Sequence, residues 1–416
     1  MTTDERPAAG TPGAKGPAGA KKGTAALVLL VLAAVFAYYR WLWGSLAAFG
    51  TSVDHYDLFC DFVRHYHPMG HRILAFPYPI EGFYYSAFFA LALWPIGLLK
   101  LPAATWAWGI LQVLLAAALG ILSIGPWSRR GSWRTALAVL LFVTSMPVLH
   151  NYKWGQVSVL VTLGVLASLW AYASGRDAAA GALLAACASV NYYAAWFVVF
   201  YVLRRRWKAV GAFAATGVVC LAVVPAIVLG PATVWQFHRE AFENVRAIAS
   251  LVAQDWNSQF FPHVLLRWLG TVDAPGTVRA LAMAGWLVGA AAAAVVWLLR
   301  RQESRDASAL SMAALFLALP FLVTTSWPHY LVYLPFCQLA VISGLLTRPS
   351  GPLKAGLLAA SAVSIAFASV FAFNAVHEWS VYARSGALFV ADVLLMPGVA
   401  VLAIAAAKDA TSPTRS

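Results

Sequence analysis

The chain of 416 residues is 61% hydrophobic and only 11% charged, with a formal net charge of +13. That balance excludes an ordinary soluble domain, in which about a quarter of the residues carry charge. The basic excess does not point to nucleic acid, because it falls between apolar runs of about 20 residues, where membrane topology places it. An all-α polytopic membrane protein is therefore predicted.

In chain order, residues 1–23 are rich in Ala, Gly, Pro and Lys and are expected to form a disordered cytoplasmic tail. The apolar run after Lys21-Lys22 is too long for a signal peptide and lacks a small-residue cleavage pattern, so 24–48 reads as a retained first span. Residues 49–101 form the first outer loop and carry Asp54, Asp57 and Asp61. Offsets of three and four place these carboxylates on one face of a predicted helix, with Arg64 and His65 at its far end. With only 16 acidic residues in the chain, the cluster suggests a general base and its helpers at a water–lipid boundary. A solvated amphipathic segment has the same pattern. His65, His67 and His71 follow, but offsets of two do not share a helical face, so no metal site is assigned. The apolar stretch 83–99 fits either a full span or a short helix dipping in from outside.

Further spans are predicted at 102–124, 135–149, 157–174, 178–190, 192–203, 209–229, 277–300, 308–325, 329–346, 354–374 and 385–406. The short 135–149 run ends in His150-Asn151-Tyr152-Lys153-Trp154-Gly155-Gln156. Lys153 stands against the charge bias of its side. It suits an anionic partner (a lipid phosphate, a substrate phosphate or one of the aspartates) or a snorkelling role. The 178–190 and 192–203 runs, each about 18–20 Å long, fall short of a bilayer core of ~30 Å. They meet at Asn191-Tyr192-Tyr193, and an apex below the outer surface would leave a wet depression lined by these polar groups. A tilted pair with extended aromatic ends is the alternative. The second outer loop, 230–276, contains a 232–253 stretch amphipathic enough to lie on the membrane surface and closes with Trp256-Asn257-Ser258-Gln259. Pro328 is placed to start a helix and aim His329 into the site. Asp392, inside the last span, is read as a structural hydrogen-bonding group. Cys60, Cys187, Cys220 and Cys337 show no disulfide or zinc spacing.

If 83–99 dips rather than crosses, every strongly basic connection falls inside: Arg129/Arg130/Arg134, Arg176, Arg204-Arg205-Arg206 with Lys208, Arg300/Arg301/Arg305, and Arg348 with Lys354. This gives about twelve crossings, a single membrane domain over 24–406 and a cytoplasmic tail at 407–416. All nine histidines then lie outside, with Asp54, Asp57, Asp61, Glu81, Glu240, Glu243 and Asp255, so chemistry is expected on the outer face.

The chain resembles glycosyltransferase family 87 among the C-type membrane glycosyltransferases, with motifs in the same order from residue 24 onward. Asp61-Phe62, Tyr66, Gly70 and Ile73-Leu74 resemble the acidic segment after the first span. Gly82-Phe83-Tyr84-Tyr85-Ser86 through Pro95 resembles the Tyr/Pro-rich dipping helix, and Gly155-Gln156 a Gly-Gln or Gly-Asn pair opening a span. Gly175-Arg176, Asn257-Ser258 and Ser326-Trp327-Pro328-His329 resemble later motifs.

The resemblance implies a C-type architecture with short or dipping helices around an outer-facing site in the plasma membrane. It also implies transfer of a hexose, mannose first, from a polyprenyl-phosphate sugar to a lipid or glycan acceptor. Asp61 becomes the catalytic base, with Asp57 the next candidate, and His329 lines the sugar or phosphate pocket. Arg64, Lys153, Gln156, Asn191 and Asn257 complete the expected substrate-binding set. Many relatives carry a lysine where this chain has Asn191. No cofactor or metal is expected; membrane lipids are expected partners and nucleic acid is not. A transporter or lipid flippase suits twelve spans equally well, but favours internal repeats and midplane sites, and none is visible here. A non-catalytic assembly subunit is the third possibility.

Overall fold

The computed structural model describes residues 57–124, 132–271, 275–376 and 378–411, with parts of 29–50. The predicted tail at 1–23, together with Asp54, His55, Arg129, Arg130 and His377, lies outside the described residues. Within them every element is helical and no strand forms.

Among the described residues six helices are long and apolar enough to cross a membrane: Leu101–Ile124, Trp207–Leu229, Gly276–Leu298, Arg305–Leu322, Pro328–Leu346 and Trp379–Asp409. Five shorter apolar helices, Trp133–Val143, Ser158–Ala173, Asp177–Val190, Tyr192–Leu203 and Pro352–Phe367, fall on other predicted spans. At 1.5 Å per residue none of the five spans a core of ~30 Å by itself. The long helices divide into centre and periphery. Arg305–Leu322 is 83% buried over its most apolar window, whereas Leu101–Ile124 is 28% buried. The latter turns Trp106, Ile110, Leu114 and Ile121 outward at helical spacing, as a lipid-facing stripe requires.

Two predicted segments differ in detail. Residues 83–99 form only Ala87–Ala92 and Trp94–Gly97, six and four residues long. Pro95 falls at the start of the second piece, where its missing N–H and ring break the preceding helix. Gly70 and Gly97 let this pair lie on the helix His67–Arg72, since a Cβ on Gly70 would stand 2.5 Å from the Leu93 carbonyl oxygen. The predicted 135–149 span is also two helices, Ser132–Val143 and Met146–Trp154. Ser145 between them is extended, and its neighbours bond across the bundle: Met146 N–H to Ala368 O and Val370 N–H to Thr144 O, both 2.8 Å. Tertiary pairing thus takes the hydrogen bonds that a continuous helix would have used.

Candidate active site

A cavity of about 620 Å³ opens among the first loop, the 146–156 segment, the 191–193 apex, the helix Pro231–Gln254 and the 323–330 segment. Six predicted site residues line it: Asp61, Arg64, Gln156, Asn191, Asn257 and His329.

Asp61 is positioned by an unusual local backbone. Asp57 precedes the helix, and Phe59 takes a left-handed φ of 60°, a conformation a bulky residue adopts only under constraint. The constraint is visible: the Phe59 N–H bonds to Lys153 O at 2.6 Å, and its ring packs edge-on against Tyr152. The predicted single helical face for Asp57 and Asp61 is therefore interrupted at 58–59, and only Asp61 of the two lines the cavity. Immediately after Asp61 the chain is π-helical over Phe62–Tyr66. In a π turn residues five apart align, which brings Tyr66 to the Asp61 side.

Gln156 joins these groups. Its Nε2 donates to Asp61 Oδ2, and its Oε1 accepts from the Tyr66 and Tyr85 hydroxyls at 2.7 and 3.0 Å. The two phenol oxygens lie 2.6 Å apart, and burial raises both tyrosines well above their usual range. The amide orientation is fixed by chemistry, since a carboxylate only accepts and un-ionised phenols donate. Behind it, Gln112 Nε2 donates to Gln156 O and Asn151 Nδ2 to Gln112 Oε1, both at 2.9 Å. Gly155 completes the mount with φ 67°, and a Cβ there would stand 3.0 Å from Phe62 Cβ.

Lys153 is fully buried and does not line the cavity. Its Nζ donates to the Asp57 backbone oxygen at 3.1 Å and lies 5.4 Å from the Trp154 ring centroid. The lysine ties down the turn that carries Asp61.

The opposite wall is imidazole and amide. His150 stacks between Trp379 and His329, with ring centroids 4.7 and 5.5 Å away. His329 is only 5% exposed, and no described residue gives its Nδ1 a hydrogen bond. Asn257 Oδ1 accepts from Trp379 Nε1 at 2.6 Å. Asp255 also lines this wall, and burial raises its carboxyl above the usual range against the opposing Asn257 N–H and Arg267. Beneath it, Ser258 Oγ lies 2.8 Å from His263 Nδ1. Burial, with Arg267 nearby, lowers His263 to about 4.

The three first-loop histidines bond separate carbonyls, His65 to Glu81, His67 to Leu99 and His71 to Gly97, at 2.9–3.0 Å. Burial lowers His65. Among the described residues no group of three or more His, Cys, Asp or Glu side chains is arranged to hold a metal ion. Asp392 is buried away from the cavity and accepts from Tyr333 OH at 2.9 Å.

Sequence reasoning missed Tyr66 and Tyr85 as partners of Gln156, and Asp255, His150 and Trp327 as cavity-lining groups. An offset of five carries no helical-face signal unless a π turn is already known.

No curated protein and no solved structure matches the chain. Residues 83–326 match the profile of glycosyltransferase family 87, a segment that holds Gln156, Asn191 and Asn257. Asp61, Arg64 and His329 lie outside that segment and meet it at the cavity. The match covers more than half of the chain, which therefore belongs to glycosyltransferase family 87.

Proposed function

We propose that this membrane glycosyltransferase moves a hexose, mannose first, from a polyprenyl-phosphate sugar to a lipid or glycan acceptor. The reaction is assigned to the outer face of the plasma membrane, within a C-type architecture of about twelve crossings. The carrying observation is the Asp61 carboxylate, held by Gln156 at the wall of a cavity that also presents Arg64 and His329. Family membership favours this over the transporter and assembly-subunit readings.

The step is a single inverting displacement. Asp61 takes the acceptor hydroxyl proton as that oxygen attacks the anomeric carbon. The bond from that carbon to the phosphate oxygen breaks on the opposite face, and its electron pair leaves with polyprenyl phosphate. Arg64 supplies positive charge for the departing phosphate, with hydrogen bonds from His329, Asn191 and Asn257. Gln156 and Lys153 position Asp61 by way of its carboxylate and its turn. Asp57 remains the second candidate for a catalytic carboxylate.

The test is transfer by purified protein in lipid vesicles given polyprenyl-phosphate mannose or a soluble nucleotide sugar. Glycolipid formation is expected from the first donor alone. Direct use of the nucleotide sugar would overturn the assignment of the donor.

A further inference from the structure

The helix Pro231–Gln254 forms part of the cavity wall and also carries a surface that the proposed reaction does not use. At about 100° per residue its side chains sort into three faces. One faces the protein: Phe237 and Ala241 are buried in the first-loop core, and Val245, Ile248 and Val252 line the cavity. A second holds Gln236, Glu240 and Glu243, with Gln236 Nε2 donating to Glu240 Oε1 at 2.9 Å. The third is a stripe at steps of four, three and four: Trp235, Arg239, Phe242 and Arg246. Trp235 and Phe242 are 74% and 62% exposed, and the Arg246 guanidinium lies 5.8 Å from the Phe242 centroid. A helix between protein and water needs two faces, and an exposed aromatic–arginine stripe is a third that water does not reward.

The surroundings say what covers it. The helix follows Trp207–Leu229 at Gly230, and that span turns Val219, Val223, Ile227 and Val228 outward, Ile227 being 79% exposed. The stripe thus begins within six residues of a span whose exposed face is apolar. The helix is fastened beside the span. Pro225 has no N–H to give the Leu221 carbonyl four residues before it, and His238 Nε2 donates to that carbonyl at 3.1 Å. Tyr192 OH in turn donates to His238 Nδ1 at 3.2 Å.

We propose that Trp235, Arg239, Phe242 and Arg246 form a docking edge for phospholipid headgroups on the membrane face where the cavity opens. The two rings sit below the phosphates, and the guanidinium groups bind phosphate diester oxygens. Charge supports this placement. Both arginines of the helix lie on the edge, whereas Glu240 and Glu243 lie on the face toward water, with an Arg239–Glu243 ion pair of 4.0 Å at the border. The same helix holds Val245, Ile248 and Val252 against the cavity, so lipid contact steadies one wall of the site.

The test uses the full chain in phosphatidylcholine–phosphatidylglycerol vesicles and does not depend on activity. Phe242→Cys and Gln236→Cys are labelled separately with an environment-sensitive fluorophore, the unsubstituted protein serving as blank for its own cysteines. Quenching by nitroxide-bearing lipid is compared with quenching by aqueous iodide. Lipid quenching should dominate at position 242 and iodide at 236, with Trp235→Cys reporting as 242 does should the latter fold poorly. Equal iodide access at 242 and 236 would overturn the proposal. Adding Arg239→Gln and Arg246→Gln should lower the lipid-over-iodide ratio at 242 by about twofold or more; an unchanged ratio removes phosphate binding by the arginines.

Discussion

Asp61 and Gln156 are a coupled pair, and their substitutions should fail in different ways. Asp61→Asn keeps the shape but cannot accept the acceptor proton, so turnover should fall ~10²–10⁴-fold with expression retained. Undiminished transfer by the purified variant would remove Asp61 as base. Gln156→Leu takes away both the donor to Asp61 and the acceptor for the Tyr66 and Tyr85 hydroxyls. Misplacement of a reacting group by about 1 Å can lower rates ~10²-fold, and a loss of that order is expected in single-turnover transfer. Asp57→Asn should weaken transfer without abolishing it, because the backbone oxygen held by Lys153 survives the change. Gly155→Ala combines a left-handed φ with contact against Phe62, so it should lower the melting temperature of the purified protein.

At the scale of elements, departures from regular α-helix carry the site. The left-handed Phe59 turns the chain, the π turn at Phe62–Tyr66 aligns Asp61 with Tyr66, and the 3₁₀ segment Pro328–Tyr333 presents His329. The 255–270 segment adds a pH dependence. His263 is lowered to about 4 in the fold from an ordinary value of 6.5, so the unfolded chain takes up the proton first as pH falls. Its neutral form therefore contributes stability that is fully present above about pH 6.5 and is lost progressively toward pH 4. His263→Gln should flatten the fall in melting temperature across that window. An unchanged slope would assign the acid sensitivity to other groups.

For the whole molecule, the proposed sidedness is open to labelling. Single cysteines replacing Thr347 and Thr271 should behave oppositely toward an impermeant thiol reagent in intact cells, the first protected and the second labelled. The reverse pattern would invert the topology. Activity should also survive excess chelator. A departing lipid monophosphate can be met by Arg64 and neutral donors, and the chain holds no Asp-x-Asp pair of the kind suited to a nucleotide-bound cation. Activity lost in chelator and restored by magnesium or manganese would contradict that expectation.

Much of the plan was legible in the residues. Apolar runs long enough to cross a bilayer announce their own helices, because lipid leaves the backbone no other way to satisfy its polar groups. Short runs around Asn191, with Gln156, Asn257 and His329 nearby in their own segments, likewise marked the cavity that the structure assembles. What sequence could not settle depended on partners far along the chain. Lys153 suited a lipid phosphate, a substrate phosphate or one of the aspartates as partner, and only the fold shows its Nζ donating to the Asp57 backbone oxygen 96 positions earlier. The 135–149 span looked continuous until pairing with 368–370 interrupted it. Periodicity records which face a regular helix turns inward, but not where a tertiary hydrogen bond outcompetes the next helical one. Such a bond, from the Phe59 N–H to Lys153 O, interrupts the helix between Asp57 and Asp61, and the π turn that follows puts Tyr66 beside Asp61.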